Sequence, residues 1–256
     1  MKKIISILLL IVSVFIFLSY IVSKSGNPPG NNPKQKNVNN NVSVLELFTS
    51  QGCSSCPPAD RLLGKYAGME NVIALSYHVD YWNRLGWKDP FSSNVFSQRQ
   101  KDYANVFKLN GVYTPQLIIN GEKEMIGSDA NKITSALKTE QVKQDAMSLQ
   151  INEVKTDDDK ITINYTIQGN EKNSILNIAL IQNKITTSIK AGENNGVELT
   201  NYCVVRNFKK IPATPDGTNT ATIDLVKGID KKDLSVVSFL QNSVTYKIFA
   251  AKKSSL

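Results

Sequence analysis

The sequence is short of the residues that metal and nucleic-acid chemistry rely on. Its 256 residues include one histidine, three cysteines and two tryptophans. A zinc site needs four ligands, and outside one close cysteine pair the chain offers only Cys203, His78 and carboxylates, so neither a metal nor another cofactor is expected. Acidic residues are missing from residues 1–41, which hold Lys2, Lys3, Lys24, Lys34 and Lys36. Those five lysines carry most of the formal charge of +8: the remaining 25 basic residues (30 less 5) face 22 acidic ones, a net of +3. No basic cluster interleaved with aromatics is left, which argues against a nucleic-acid partner.

What is present suits a globular protein: 41% of residues are apolar, enough for a sizeable core. The one long hydrophobic run, Ile4 to Val22, follows Lys2-Lys3. It exceeds the roughly 7–15 residues of a signal-peptide core and approaches the ~20 that span a bilayer. Residues 1–24 are therefore expected to be a signal anchor, with its lysines on the cytoplasmic side, or a signal peptide. Residues 25–41 hold three prolines, two glycines and seven asparagines and read as a disordered tether. Either reading exports the rest to an extracytoplasmic place, inner-membrane anchored or secreted, where a disulfide can persist.

The stretch from Val44 to Leu63 organises the remainder. An apolar strand ends in a polar turn, then comes Cys53-Ser54-Ser55-Cys56, then a helix whose first turn carries Pro57 and Pro58. A dithiol at a helix N-terminus favours thiolate, because the helix dipole and unpaired N–H groups stabilise the anion. On this reading Cys53 is the exposed attacking sulfur and Cys56 resolves. Half a zinc site and a structural bridge remain as alternatives for a bare Cys-x-x-Cys pair. Downstream, Thr114-Pro115 heads the apolar strand Gln116 to Ile119, and Asn120-Gly121 is a hairpin signal.

The order of strand, dithiol, helix, Thr-Pro, strand and Asn-Gly resembles that of thioredoxins. The resemblance implies a cis bond before Pro115, beside the dithiol, with backbone there able to pair with an incoming chain. It also implies a buried acid that accepts the Cys56 proton, for which Glu46 is the candidate, seven residues before Cys53. Glu46 pointing outward from a strand end is the competing reading. His78 closes a second apolar strand, with Asp80 two residues on, and is either a substrate-contacting or a structural histidine. Trp82 and Trp87 lie on an aromatic loop and, with Thr114, are candidates for the substrate groove; packing of the loop is the plainer role for at least one of the two tryptophans.

Four strings, VLELFTSQGCSSCPPAD, VIALSYHVDYWNRLGWKDPF, GVYTPQLIING and AGENNGVELTNYCVVRNF, resemble a bacterial family of exported thioredoxin-like proteins, domain of unknown function 1223, over residues 43–250. The resemblance implies a thioredoxin-like α/β domain at residues 42–145, with Cys53, Cys56 and Pro115 as redox positions. His78, Asp80 and Trp82 carry over only as signature, and no substrate is implied.

From residue 146 the pattern changes to alternation. Ile161, Ile163, Tyr165 and Ile167 mark a half-buried strand, and six more short candidates follow the same rule. Residues 146–256 are expected to form a small all-β, sandwich-like domain. Cys203 falls in one of these strands, as a buried small hydrophobe or as a third redox thiol. The polar segment 190–196 is a candidate cover for the dithiol. The expected activity is thiol-disulfide exchange with protein thiols or disulfides of the cell envelope. The alternatives are a non-catalytic envelope binding protein with a static disulfide and, less favoured, a carrier of copper or zinc.

Overall fold

A computed structural model describes residues 42–139, 147–215 and 217–256. Residues 1–41, and with them the expected signal segment and tether, lie outside the described residues. The described residues form one compact unit.

Eleven strands and three helices are described. In chain order they are β1 (Ser43–Thr49), α1 (Pro57–Tyr66), β2 (Val72–His78), α2 (Asn94–Phe107), β3 (Gln116–Ile119), β4 (Lys123–Ile126) and α3 (Ala130–Thr139). Then come β5 (Ser148–Thr156), β6 (Lys160–Gln168), β7 (Ser174–Ser188), β8 (Glu198–Pro212), β9 (Gly217–Asp224), β10 (Leu234–Asn242) and β11 (Ile248–Ser255). Local chemistry sets many of these ends. Pro57 and Pro58 occupy the first helical positions of α1, where a missing N–H costs nothing. The Ser93 hydroxyl accepts from the Val95 N–H and caps α2. Asn120 and Gly121 both take positive φ, the conformation that the β3–β4 hairpin turn requires.

The expectation of a thioredoxin-like α/β domain followed by a separate small sandwich is overturned. The chain is mostly β, and one mixed eight-stranded sheet runs through both halves in the order β11-β10-β7-β8-β2-β1-β3-β4. The join is β8, which runs parallel to β2 and pairs Val204 with Ser76. Without it β2, buried from Ile73 to His78, would be an open edge presenting unpaired backbone groups. Only β5, β6 and β9 form a second sheet, of three strands.

The strands β7 and β10 are the reason the halves merge. Leu176, Ile178 and Leu180 pack with the small sheet, while Ala179 and Ile181 face the cluster around β1 and β2. Likewise Leu234, Val236 and Leu240 take one side of β10, and Val237 and Phe239 the other. A strand apolar on successive residues must be covered on both faces, which an isolated small sandwich does not provide. Helix α1 lies close against β8: a Cβ on Gly64 would come within 2.6 Å of the Tyr202 ring. Among the described residues, no helix is long and apolar enough to cross a membrane.

Candidate functional site

β1 ends at Thr49, and a turn through Ser50, Gln51 and Gly52 delivers Cys53 to the start of α1. Cys53 and Cys56 form a disulfide, with Cys56 at the cap position of the helix. Its carbonyl accepts from Ala59 N and Asp60 N at 2.9 and 3.1 Å, beginning the helical ladder. The Cys53 sulfur lies 3.3 Å from the Ser55 hydroxyl and 3.9 Å from the Thr114 carbonyl oxygen. The Thr114–Pro115 peptide is cis. Cys53, Cys56, Thr114 and Pro115, separated by about 60 residues in the chain, thus meet at one place.

The expected exposure of Cys53 is corrected by the structure: both sulfur-bearing residues are 0% exposed. The cover comes from residues 189–197, between β7 and β8. The Asn194 side-chain amide donates to the carbonyls of Gln51 (2.8 Å) and Cys53 (3.0 Å). The Ser54 N–H donates to the Glu193 carboxylate at 3.0 Å, and hydrogen bonding from the Ser54 side chain and then its backbone holds that acid below its usual range. The loop 79–93 supports the same turn. Trp87 Nε1 donates to Gln51 Oε1 (3.1 Å), and Trp82 Nε1 donates to the Thr114 hydroxyl (2.8 Å). Trp82 therefore braces the Thr114–Pro115 segment.

His78 is buried and pairs through Nδ1 with Asp89 Oδ2 at 2.7 Å. Asp80, its neighbour in sequence, instead accepts from the Ser97 hydroxyl. Burial pulls the imidazole pKa down, but the Asp89 carboxylate more than offsets this and leaves it raised. Burial pushes the Asp89 carboxyl up; His78 and the N–H groups of Gln51 and Phe91 bring it below the ordinary range. Asp89 thereby ties the histidine to the turn that carries the disulfide. Asp60, one helical turn beyond Cys56, is buried as well, accepts from the Thr49 hydroxyl at 3.1 Å, and has its pKa pushed up to about 6 by burial.

Glu46 is fully buried, and its partners are not cysteines. Arg99 Nη2 and Nε approach its Oε1 at 2.6 and 2.8 Å, and the Tyr103 hydroxyl donates to Oε2. The guanidinium carbon lies 5.2–5.8 Å from five ring centroids, those of Tyr77, Tyr103, Phe208, Phe239 and Tyr246. A carboxylate so fully engaged is a structural anion, which is where its expected proton-accepting role gives way. Cys203 is a free, buried thiol in β8, and burial pushes its pKa up, the environment of an inert cysteine. Glu193 and Asn194 fall within the polar segment 190–196 named as a candidate cover, whereas Asp60 and Asp89 were missed by sequence reasoning. Only Asp60 left a signal, its four-residue spacing from Cys56. No group of three or more His, Cys, Asp or Glu among the described residues is placed to hold a metal ion.

Fold and site together define a mostly-β protein with a covered disulfide at the head of a helix. Residues 44–241 match the family described as Protein of unknown function (DUF1223), and the chain belongs to that family. The crystal structure of protein AGR_C_4864 from Agrobacterium tumefaciens is similar at 30% identity, covering 83% of this chain and 93% of that one, with a TM-score of 0.65. HBP35 of Porphyromonas gingivalis shares the fold at 18% identity and a TM-score of 0.60, over 84% of this chain and 75% of that one. No curated protein matches the sequence.

Proposed function

We propose that the chain is an extracytoplasmic thiol-disulfide oxidoreductase that exchanges its Cys53–Cys56 disulfide with protein thiols or disulfides of the cell envelope. The observation that carries this reading is the position of the disulfide. It joins residues three apart that already share a backbone bond, Cys56 N to Cys53 O at 3.3 Å. Closing so small a loop removes little chain entropy, roughly 2 kcal/mol by the loop-length relation against ~3 for a 15-residue loop. As a staple it does little, whereas a helix N-terminus is where a reversible dithiol gains most. In this reading a partner reaches Cys53 when the 189–197 segment lifts, and the Thr114–Pro115 backbone lines the approach. The N-terminal segment tethers or exports the domain, and nucleic acid is not a partner.

A second reading, a binding protein with a static disulfide, is favoured by the burial of both sulfurs. Expression of Cys56→Ser in the native cell separates the two. A redox role traps substrates as mixed disulfides on Cys53, released by reductant. A Cys56→Ser chain carrying no such adducts, together with a Cys53→Ser chain equal to wild type in disulfide reduction and refolding assays, refutes the exchange reading.

A further inference from the structure

We infer that Asp60 is the proton carrier for Cys56, taking its thiol proton when the disulfide closes and returning one when it opens. The inference rests on the redox reading above and names a group for which that reading has so far supplied none.

Three observations place Asp60 in this role. First, residues i and i+4 of a helix share a face, and the Asp60 N–H donates to the Cys56 carbonyl, so the carboxyl sits on the helix side that carries Cys56. Second, this carboxyl is 4% exposed and incompletely bonded: Thr49 donates to Oδ2, while Oδ1 has no hydrogen-bond partner. The His78 Nε2, also buried, has none either. Native interiors seldom leave such atoms unpaired without a use for them. Third, Asp60 lines a cleft of about 200 Å³ with Pro57, Arg61, Glu198, Asn201 and Tyr202. This opening lies between α1 and the first residues of β8 and gives the proton a route to water while the disulfide stays enclosed.

The groups that face Asp60 come from every element packed on it: Thr49 from β1, His78 from β2, Asp89 from the loop and Asn201 from β8. Burial dominates, raising the carboxyl to about 6, while His78 and then the Thr49 and Asn201 side chains pull back and Asp89 adds to the rise. A carboxyl that titrates there moves protons near neutral pH in either direction.

The chemistry balances as follows. With Cys53 in a mixed disulfide, Asp60 carboxylate takes the Cys56 thiol proton. The Cys56 thiolate then attacks the Cys53 sulfur, and the bond from Cys53 to the partner sulfur breaks, its electron pair leaving on the partner as thiolate. The partner's disulfide is reduced by two electrons and the dithiol is oxidised. In reverse, a partner thiolate attacks Cys53, and protonated Asp60 supplies the proton to departing Cys56.

The test follows opening of the disulfide in the full chain by dithiothreitol from pH 4.5 to 8, expressed per dithiothreitol thiolate. Wild type should fall at least fivefold as pH rises through about 6, where the proton donor is lost. Asp60→Asn should be slow and flat, Asp60→Glu should restore the step, and in His78→Gln the step should move to higher pH. Asp60→Ser replaces the asparagine variant should that one not fold. A wild-type-like step in the Asn or Ser variant, a flat wild-type profile, or loss of the step in His78→Gln overturns the assignment while leaving exchange chemistry standing. A disulfide that no reductant opens, even in Asn194→Ala, overturns both.

Discussion

The Glu46–Arg99 pair and the Asp60–His78–Asp89 group are both removed from water, and they differ in how completely their charges are answered. Glu46 has three donors from two side chains, and Arg99 adds five aromatic faces and a bond to Gln241, leaving Nη1 as its one unbonded nitrogen. The pair ties β1 to α2 and β10, and proton transfer there would strand a charge. Beside the disulfide, His78 is paired with Asp89 through Nδ1 and has its Nε2 unbonded, and Asp60 is left with a bare oxygen and a pKa moved toward neutrality. One centre fixes the sheet; the other holds a titrating acid one helical turn beyond Cys56. Burial alone therefore does not mark a functional acid, whereas burial with an unfilled hydrogen-bonding position does.

The comparison breaks most sharply at Arg99. Arg99→Met should destabilise the protein by about 3–5 kcal/mol in urea unfolding at neutral pH, because Glu46 stays buried without its cation. Adding Glu46→Gln should recover part of the loss; a cost below about 1 kcal/mol for the single change would mean the pair does not anchor the sheet.

Asp60→Asn should act with the opposite sign. The folded pKa of Asp60 is raised from 3.8 to about 6, so its neutral form favours folding below 3.8 and that advantage is lost as pH rises to about 6. Asparagine cannot ionise, so the variant should gain up to about 3 kcal/mol over wild type above pH 6 and nothing below 3.8, read from paired melting curves. A variant less stable than wild type at pH 7.5 would contradict the raised pKa.

Asp89→Asn should cost about 2 kcal/mol. Asp89 is lowered and His78 raised in the fold, so their mutual stabilisation is full above the unfolded pKa of Asp89 and below that of His78, and is lost as pH falls through the folded Asp89 or rises through the folded His78. The loss should be greatest between about pH 5 and 6, in the window those directions define, and an NMR titration of His78 should show its pKa falling. A cost that does not change with pH would place Asp89's role in the Gln51 and Phe91 N–H bonds instead.

Asn194→Ala should cost least, about 1 kcal/mol for two hydrogen bonds at the edge of the cover. Yet it should speed opening of the disulfide by dithiothreitol roughly tenfold, equal to about 1.4 kcal/mol on the barrier. An unchanged rate would show that the 189–197 segment does not control access.

The sequence by itself determined the parts whose causes lie within a few residues. These include the helix start at Pro57, the strand Gln116–Ile119, the Asn120-Gly121 turn, and the alternation of Ile161 to Ile167. Turn chemistry, capping and side-chain period act locally, so a local reading finds them. The tertiary structure alone decided that β8 would extend the first sheet, that Arg99 rather than a cysteine would answer Glu46 from 53 residues away, and that Asp89 rather than Asp80 would hold His78. Within the 190–196 segment that the sequence offered as a cover, it also chose Asn194 to reach the Cys53 carbonyl from 141 residues away. These pairings depend on which surfaces meet once the sheet is assembled, and no spacing along the chain encodes that meeting.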